Sequence, residues 1–288
     1  MTPLEQEGQI LPEPEQPIRI GYHADFQHVS RSQLALFCES RIDCYRQYVS
    51  RERGGLEDND ALRVGTGTHA VALRDALAIR NMVEVPASAL DRAGKRAGNA
   101  WVKFRLKNQG KTLLLPKQFQ LCRDLAEALE LSPVGDILRH PEARRELEHR
   151  WSGAAGLKCR LKADLVLPGL DEVVCVDVKT ARSIHPRAFR SEVKHRLLWL
   201  QDAHYSEGLE DLYGLPVRFV FAAVRKSWPH RVKVFELTEG ARIAARRRYR
   251  VVMGELAECY RSGAWGDQND DMIEQIELSE ADLGGELS

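Results

Sequence analysis

The pattern of apolar and polar positions changes period near residue 143. Before it, apolar residues recur at helical spacing. In "SRSQLALFCESRIDCYRQYVSR" (30–51), Leu34, Phe37, Arg41 and Tyr45 share one face, and Ser30 or Ser32 is placed to cap the first turn. "RGGLEDND" (53–60) reads as a loop. "VGTGTHAVALRDALAIR" (64–80) reads as a Gly/Thr turn feeding a helix, with His69 early in it. Further helical stretches fit 89–108 and 117–131. From 143 onward the runs shorten to strand length. "ARRELEHRW", "CRLKADLVL", "EVVCVDVKT", "VRFVFAAVR" and "RVKVFEL" are the expected strands. "HRLLWLQDAHYSEGLEDLYG" (195–214) is an amphipathic helix between the third and fourth. A long helix capped by Thr238 closes the pattern. This order predicts one α/β domain with a mixed central sheet, a helical part at 18–142 and a core at 143–266.

Charge sharpens the picture. The net charge is zero, yet residues 1–17 carry four acidic and no basic residues, and 267–288 carry eight acidic and no basic. The remaining 18–266 holds 42 basic against 30 acidic residues, about +12. The two ends read as disordered acidic tails, the first also rich in proline. A basic core suits a polyanion such as nucleic acid, although a solvated basic surface has the same composition. The six cysteines contain no CxxC pair, so zinc or disulfide frameworks are not expected. The absence of a long apolar run and of a basic, apolar start predicts a cytoplasmic protein without a membrane segment.

The strand "EVVCVDVKT" ends in two charges, Asp177 and Lys179. Pairing symmetric about the turn "PGLDE" (168–172) sets Val166 against Cys175 and Asp164 against Asp177. Opposed carboxylates repel in a plain sheet, and a bound cation removes the conflict. Lys179, two residues past Asp177, lies on the same face. Two carboxylates and an ammonium suit Mg²⁺-assisted phosphodiester cleavage. A solvated surface hairpin is the alternative.

Asp164…Asp177-Val178-Lys179 resembles the PD-(D/E)xK nuclease motif, with Ala163 in the place of the proline. Four further segments resemble the RecB-like and RecE-like (exonuclease VIII type) branches: His69 after "GTGT", Gln201 and Tyr205 spaced as Q-x-x-x-Y, and the end segments "HVSRSQLALFCESRIDCYRQYV" and "YRSGAW". Taken alone, His69 also fits a core histidine, and Gln201/Tyr205 an ordinary helix face.

The resemblance implies a restriction-endonuclease-like core. It also implies an exodeoxyribonuclease that digests linear duplex DNA from its ends, 5′ to 3′, for recombination or repair. Asp164 would ligate two Mg²⁺ ions, with Mn²⁺ as a substitute. Asp177 and the Val178 carbonyl would hold the catalytic one, Lys179 would position water, and His69 would serve the second metal. Gln201 and Tyr205 would line the site and contact the phosphate backbone. Arg246, Arg247, Arg248 and Arg250 would add phosphate contacts. It further implies a ring of three or four subunits and a RecT-like annealing partner. The rivals are a non-cleaving DNA-binding module and an endonuclease of the same superfamily.

Overall fold

The computed structural model describes residues 27–52 and 59–266. Both expected tails and most of the 53–60 loop lie outside the described residues. In chain order the elements are α1 (Arg31–Glu39), α2 (Arg41–Cys44), α3 (Asp60–Ala72), α4 (Ala76–Arg80), β1 (Met82–Glu84), α5 (Gly98–Lys107), β2 (Thr112–Leu114), α6 (Pro116–Glu130) and α7 (Gly135–Arg139). There follow β3 (Arg144–Ser152), β4 (Lys158–Pro168), β5 (Val173–Ala181), α8 (Pro186–His195), α9 (Leu198–Tyr213), β6 (Val217–Arg225), β7 (Val232–Glu236) and α10 (Glu239–Ser262).

The main sheet has the order β3-β4-β5-β6-β7. All neighbours are antiparallel except β5 and β6, which run parallel through the α8–α9 crossover. Such a crossover needs a helix between the strands. The expected mixed α/β core, N-terminal helices and long C-terminal helix are all present. Among the described residues, no helix is long and apolar enough to cross a membrane. Five of the six cysteines are buried and Cys38 is exposed, all without disulfides.

Several expectations need correction. The predicted helix 30–51 breaks at Ser40. Its backbone is extended and its hydroxyl accepts the N–H of Asp43, so a side chain competes with the helical ladder. The chain then continues through α2 into a π-helical turn, Tyr45–Val49. The predicted Gly/Thr turn is helical. α3 starts at Asp60, capped by Asn59, and runs through both glycines, so His69 falls in its last turn. The glycines serve packing: a Cβ on Gly67 would lie 2.7 Å from Cys122 Sγ of α6. That close approach seats α3 against α6 and the short strands β1 and β2. Leu77 is exposed on the separate helix α4. Within 89–108 only Gly98–Lys107 is helical. Helix α8 is strongly polar and buries only Phe189, and strands β1 and β2 are three residues each, so apolar runs predict neither the helix nor the strands.

Core side chains divide between the two faces of the sheet. Val173 and Cys175 pack on the side of α9 and α10. Val176 and Val178 pack on the side of α6 and the start of α3. Strict alternation along β5 therefore assigns Asp177 and Lys179 to the α9 side. In β4 the alternation breaks. Ala163 belongs to the α9 side and Leu165 to the opposite one, so Asp164 sits where the strand changes phase.

Candidate metal and phosphodiester site

The β4–β5 ladder runs from Pro168↔Val173 to Leu165↔Val176 and ends there, although both strands continue. Beyond that point β4 remains paired with β3, and β5 with β6. The expected symmetric register holds at Val166↔Cys175, but Asp164 and Asp177 are not a laddered pair. The strands separate just before reaching them. Asp164 Oδ2 instead accepts the main-chain N–H of Val178 at 2.8 Å. The gap admits side chains from both faces of the sheet.

From α3, His69 Nδ1 approaches Asp164 Oδ2 at 3.4 Å. From α9, Gln201 Nε2 donates to Asp177 Oδ1 at 2.6 Å. Lys179 Nζ lies 2.6 Å from Asp177 Oδ2. That contact is a buried ion pair, which offsets the charge of the Asp177 carboxylate. Asp177 itself is 3% exposed.

The two carboxylates are tuned in opposite directions. Burial pushes Asp177 above the usual carboxylate range; Lys179 opposes this and the Asp164 charge adds to it. Burial also acts on Asp164, but His69, Lys179 and the Val178 N–H prevail and hold it below the usual range. For His69, burial disfavours the imidazolium, yet the Asp164 carboxylate outweighs burial and raises its pKa.

Glu146 escaped the sequence reading. It lies on β3 between the registered pairs Arg145↔Leu165 and Leu147↔Ala163, level with Asp164, and has a left-handed backbone, φ +52°. Ligand atoms of His69, Glu146 and Asp164 lie within 4.8 Å of one another. Lys162 neutralises Glu146 at 2.5 Å. The signal was available: symmetric pairing about the turn near residue 155 sets Glu146 against Asp164. Arg31 was also missed. Its guanidinium, with a buried unpartnered Nε, feels both Tyr205 and Asp177 electrostatically.

The remaining expected residues divide. Tyr205 is buried in the core, its ring centroid 6.2 Å from that of Phe219. The Val178 side chain is fully buried beneath the site. Arg246 does not reach the site: its guanidinium is gripped by both carboxylate oxygens of Glu210. Glu210 is nine residues along α9 from Gln201, about 13 Å at helical rise. Arg248 pairs with Glu255 at 3.6 Å. Arg247 and Arg250 are exposed on α10.

The donor set fits a hard divalent cation. Two carboxylates and one imidazole, Glu146, Asp164 and His69, offer ligand atoms within 4.8 Å of one another, and the buried Asp177 carboxylate lies on the neighbouring strand.

A sheet that opens at an acidic residue, followed on the next strand by Asp-x-Lys, defines the PDDEXK-like class. Residues 30–277 match the family described as "PDDEXK-like domain of unknown function (DUF3799)", and the chain belongs to that family. Among solved structures it is similar to a "putative exonuclease" from Eubacterium rectale. The TM-score is 0.63 at 15% identity, over 94% of this chain and 98% of that one. At that identity the likeness concerns the fold. A second structure, SSO0001, aligns with a TM-score of only 0.28 at 14% identity, over 65% of this chain and 84% of that one. No curated protein matches.

Proposed function

We propose that this protein is a Mg²⁺-dependent exodeoxyribonuclease that digests linear double-stranded DNA from its ends, 5′ to 3′. The observation that carries the reading is the meeting of Asp164, Asp177 and Lys179 in the β4–β5 gap, with His69 and Gln201 entering from opposite faces. Family membership and the fold shared with a protein named as an exonuclease support it.

Asp164, Asp177, Glu146, His69 and the Val178 carbonyl would hold the metal, Mg²⁺ or Mn²⁺ at one or two positions. When bound, the metal supplies Lewis-acid stabilisation of the phosphate and its leaving oxygen. Lys179 places a positive charge beside the scissile phosphate, orients the attacking water and offsets developing negative charge. Gln201 fixes Asp177 through Oδ1, while Lys179 pairs with its Oδ2. Tyr205, one turn further along α9, packs into the core against Phe219. Arg31 adds a second cation on the α9 side.

A closed ring of three or four subunits would keep the enzyme on its substrate. A RecT-like annealing protein would take up the 3′ strand. The test is incubation of the purified protein with linear and circular duplexes, with and without Mg²⁺. Loss of only the linear duplex, only with metal, is expected. Cleavage of circles would indicate an endonuclease, and binding without cleavage a DNA-binding module.

A further inference from the structure

A basic cleft adjoins the C-terminal end of β5. It encloses about 390 Å³, and its lining includes Arg182, Arg225, Arg231 and Lys233 with no acidic residue. Among the described residues, none of these four forms an ion pair within 4 Å; Lys233 lies over the Phe235 ring instead. Arg182 is three residues beyond Lys179, about 10 Å at the rise of a strand. Arg225 is the registered neighbour of Ala181. The cleft therefore continues from the candidate site in the direction of β5.

The β6–β7 connection, whose Ser227 lines the cleft, presents the next residue, Trp228, 83% exposed. A tryptophan that contributes nothing to the core is unusual, and this one is held in place. The Arg225 guanidinium donates to the carbonyls of Ser227, Trp228 and Pro229 at 3.3, 3.4 and 3.1 Å. Arg225 also receives the loop's return, its N–H donating to the carbonyl of Arg231 at 2.9 Å. The base of the loop is thus ordered while the indole faces solvent.

We infer that Trp228 and the adjoining basic cleft form a platform for single-stranded nucleic acid. The cations hold phosphates of the strand that leads to Lys179, and the indole stacks on an unpaired base. Cationic grooves that track a backbone, interleaved with aromatic rings that accept any base, are the recurring chemistry of single-strand binding. A protein partner would also use an exposed tryptophan, but four cations without an acidic residue favour a polyanion. The inference builds on the proposed nuclease reading by naming how a frayed end would be held beside the site.

The test measures binding of metal-free full-length protein to a blunt duplex and to the same duplex with a single-stranded tail. Wild type, Trp228→Ala, Trp228→Phe and Arg231→Ala/Lys233→Ala are compared. None of these residues belongs to the candidate metal site. Trp228→Ala should weaken the tailed duplex about fivefold or more while leaving the blunt duplex nearly unchanged, and Trp228→Phe should retain most of the affinity. The double variant should weaken both and lower the salt slope by about two.

Unchanged affinity of Trp228→Ala for the tail, or an equal loss for both substrates, would overturn the inference. So would a fall in oligomer mass with DNA binding intact, which would assign Trp228 to a protein interface. Tail-selective loss in a protein that never cleaves DNA would uphold the platform and remove the nuclease reading. Cleavage with no dependence of binding on Trp228 would do the reverse.

Discussion

Asp164 Oδ2 accepts the main-chain N–H of Val178 at 2.8 Å, a side-chain hydrogen bond placed just beyond the end of the β4–β5 ladder. The carboxylate thus satisfies a backbone donor that the diverging strand leaves behind. It also turns Asp164 toward His69 and fixes the spacing between β4 and the Asp177-x-Lys179 segment.

The two carboxylates should respond oppositely to removal in the metal-free protein. Asp164→Ala strands the Val178 N–H and should destabilise by about 1–3 kcal/mol. Asp177→Asn removes a charge that burial disfavours, and should melt at the same temperature as wild type or higher. Both should abolish cleavage. Melting curves in chelator beside digestion of linear DNA check this, and an active, folded Asp177→Asn protein would refute the assignment.

His69 should make metal-free stability pH-dependent. Its folded pKa is raised, so its contribution is complete below about 6.5 and is lost as pH climbs through the raised value. Asp164 is lowered, so its share is present above about 3.9 and disappears as pH falls through the lowered value. His69→Gln should therefore cost stability near pH 5.5 and little near pH 9. Mg²⁺ affinity should rise across the same interval, because imidazole must lose its proton to ligate. Thermal melts across pH, with and without Mg²⁺, measure both effects.

Glu146→Gln should raise the Mg²⁺ concentration for half-maximal cleavage roughly tenfold and leave the rate at saturating metal largely intact. A variant indistinguishable from wild type in its metal titration would confine Glu146 to its ion pair with Lys162.

On α10, Arg246 and Arg250 should separate. Arg246→Ala breaks a half-exposed pair with Glu210, lowering stability by about 1 kcal/mol or less without changing DNA affinity. Arg250→Ala should leave stability unchanged. If Arg250 meets a phosphate, its loss lowers the salt slope of binding by about one. Titrations at several salt concentrations distinguish the two.

Assembly should be visible as a solution mass several times that of the 32.6 kDa chain. Digestion begun on labelled DNA should continue after unlabelled competitor is added. A monomer that stops at once would defeat the ring while leaving the site chemistry untouched.

By itself the sequence determined what depends on local pattern. Period-two runs gave the five strands of the main sheet, and the apolar stripe after Thr238 gave α10, because alternation and capping are properties of neighbouring residues. The Val166↔Cys175 register followed from one short turn, and the motif order pointed to Asp164, Asp177 and Lys179. Only the tertiary structure decided how these residues meet. The divergence of β4 from β5 depends on which neighbour each strand keeps, β3 or β6, and no local pattern encodes that choice. The meeting of His69 and Gln201 depends on the packing of α3 and α9 against opposite faces, with Gly67 permitting the close approach of α3 to α6. For Arg246, the partner was illegible for the same reason. Its charge was legible, but its partner Glu210 lies 36 residues away in the chain, and only the packing of α10 on α9 brings the two together.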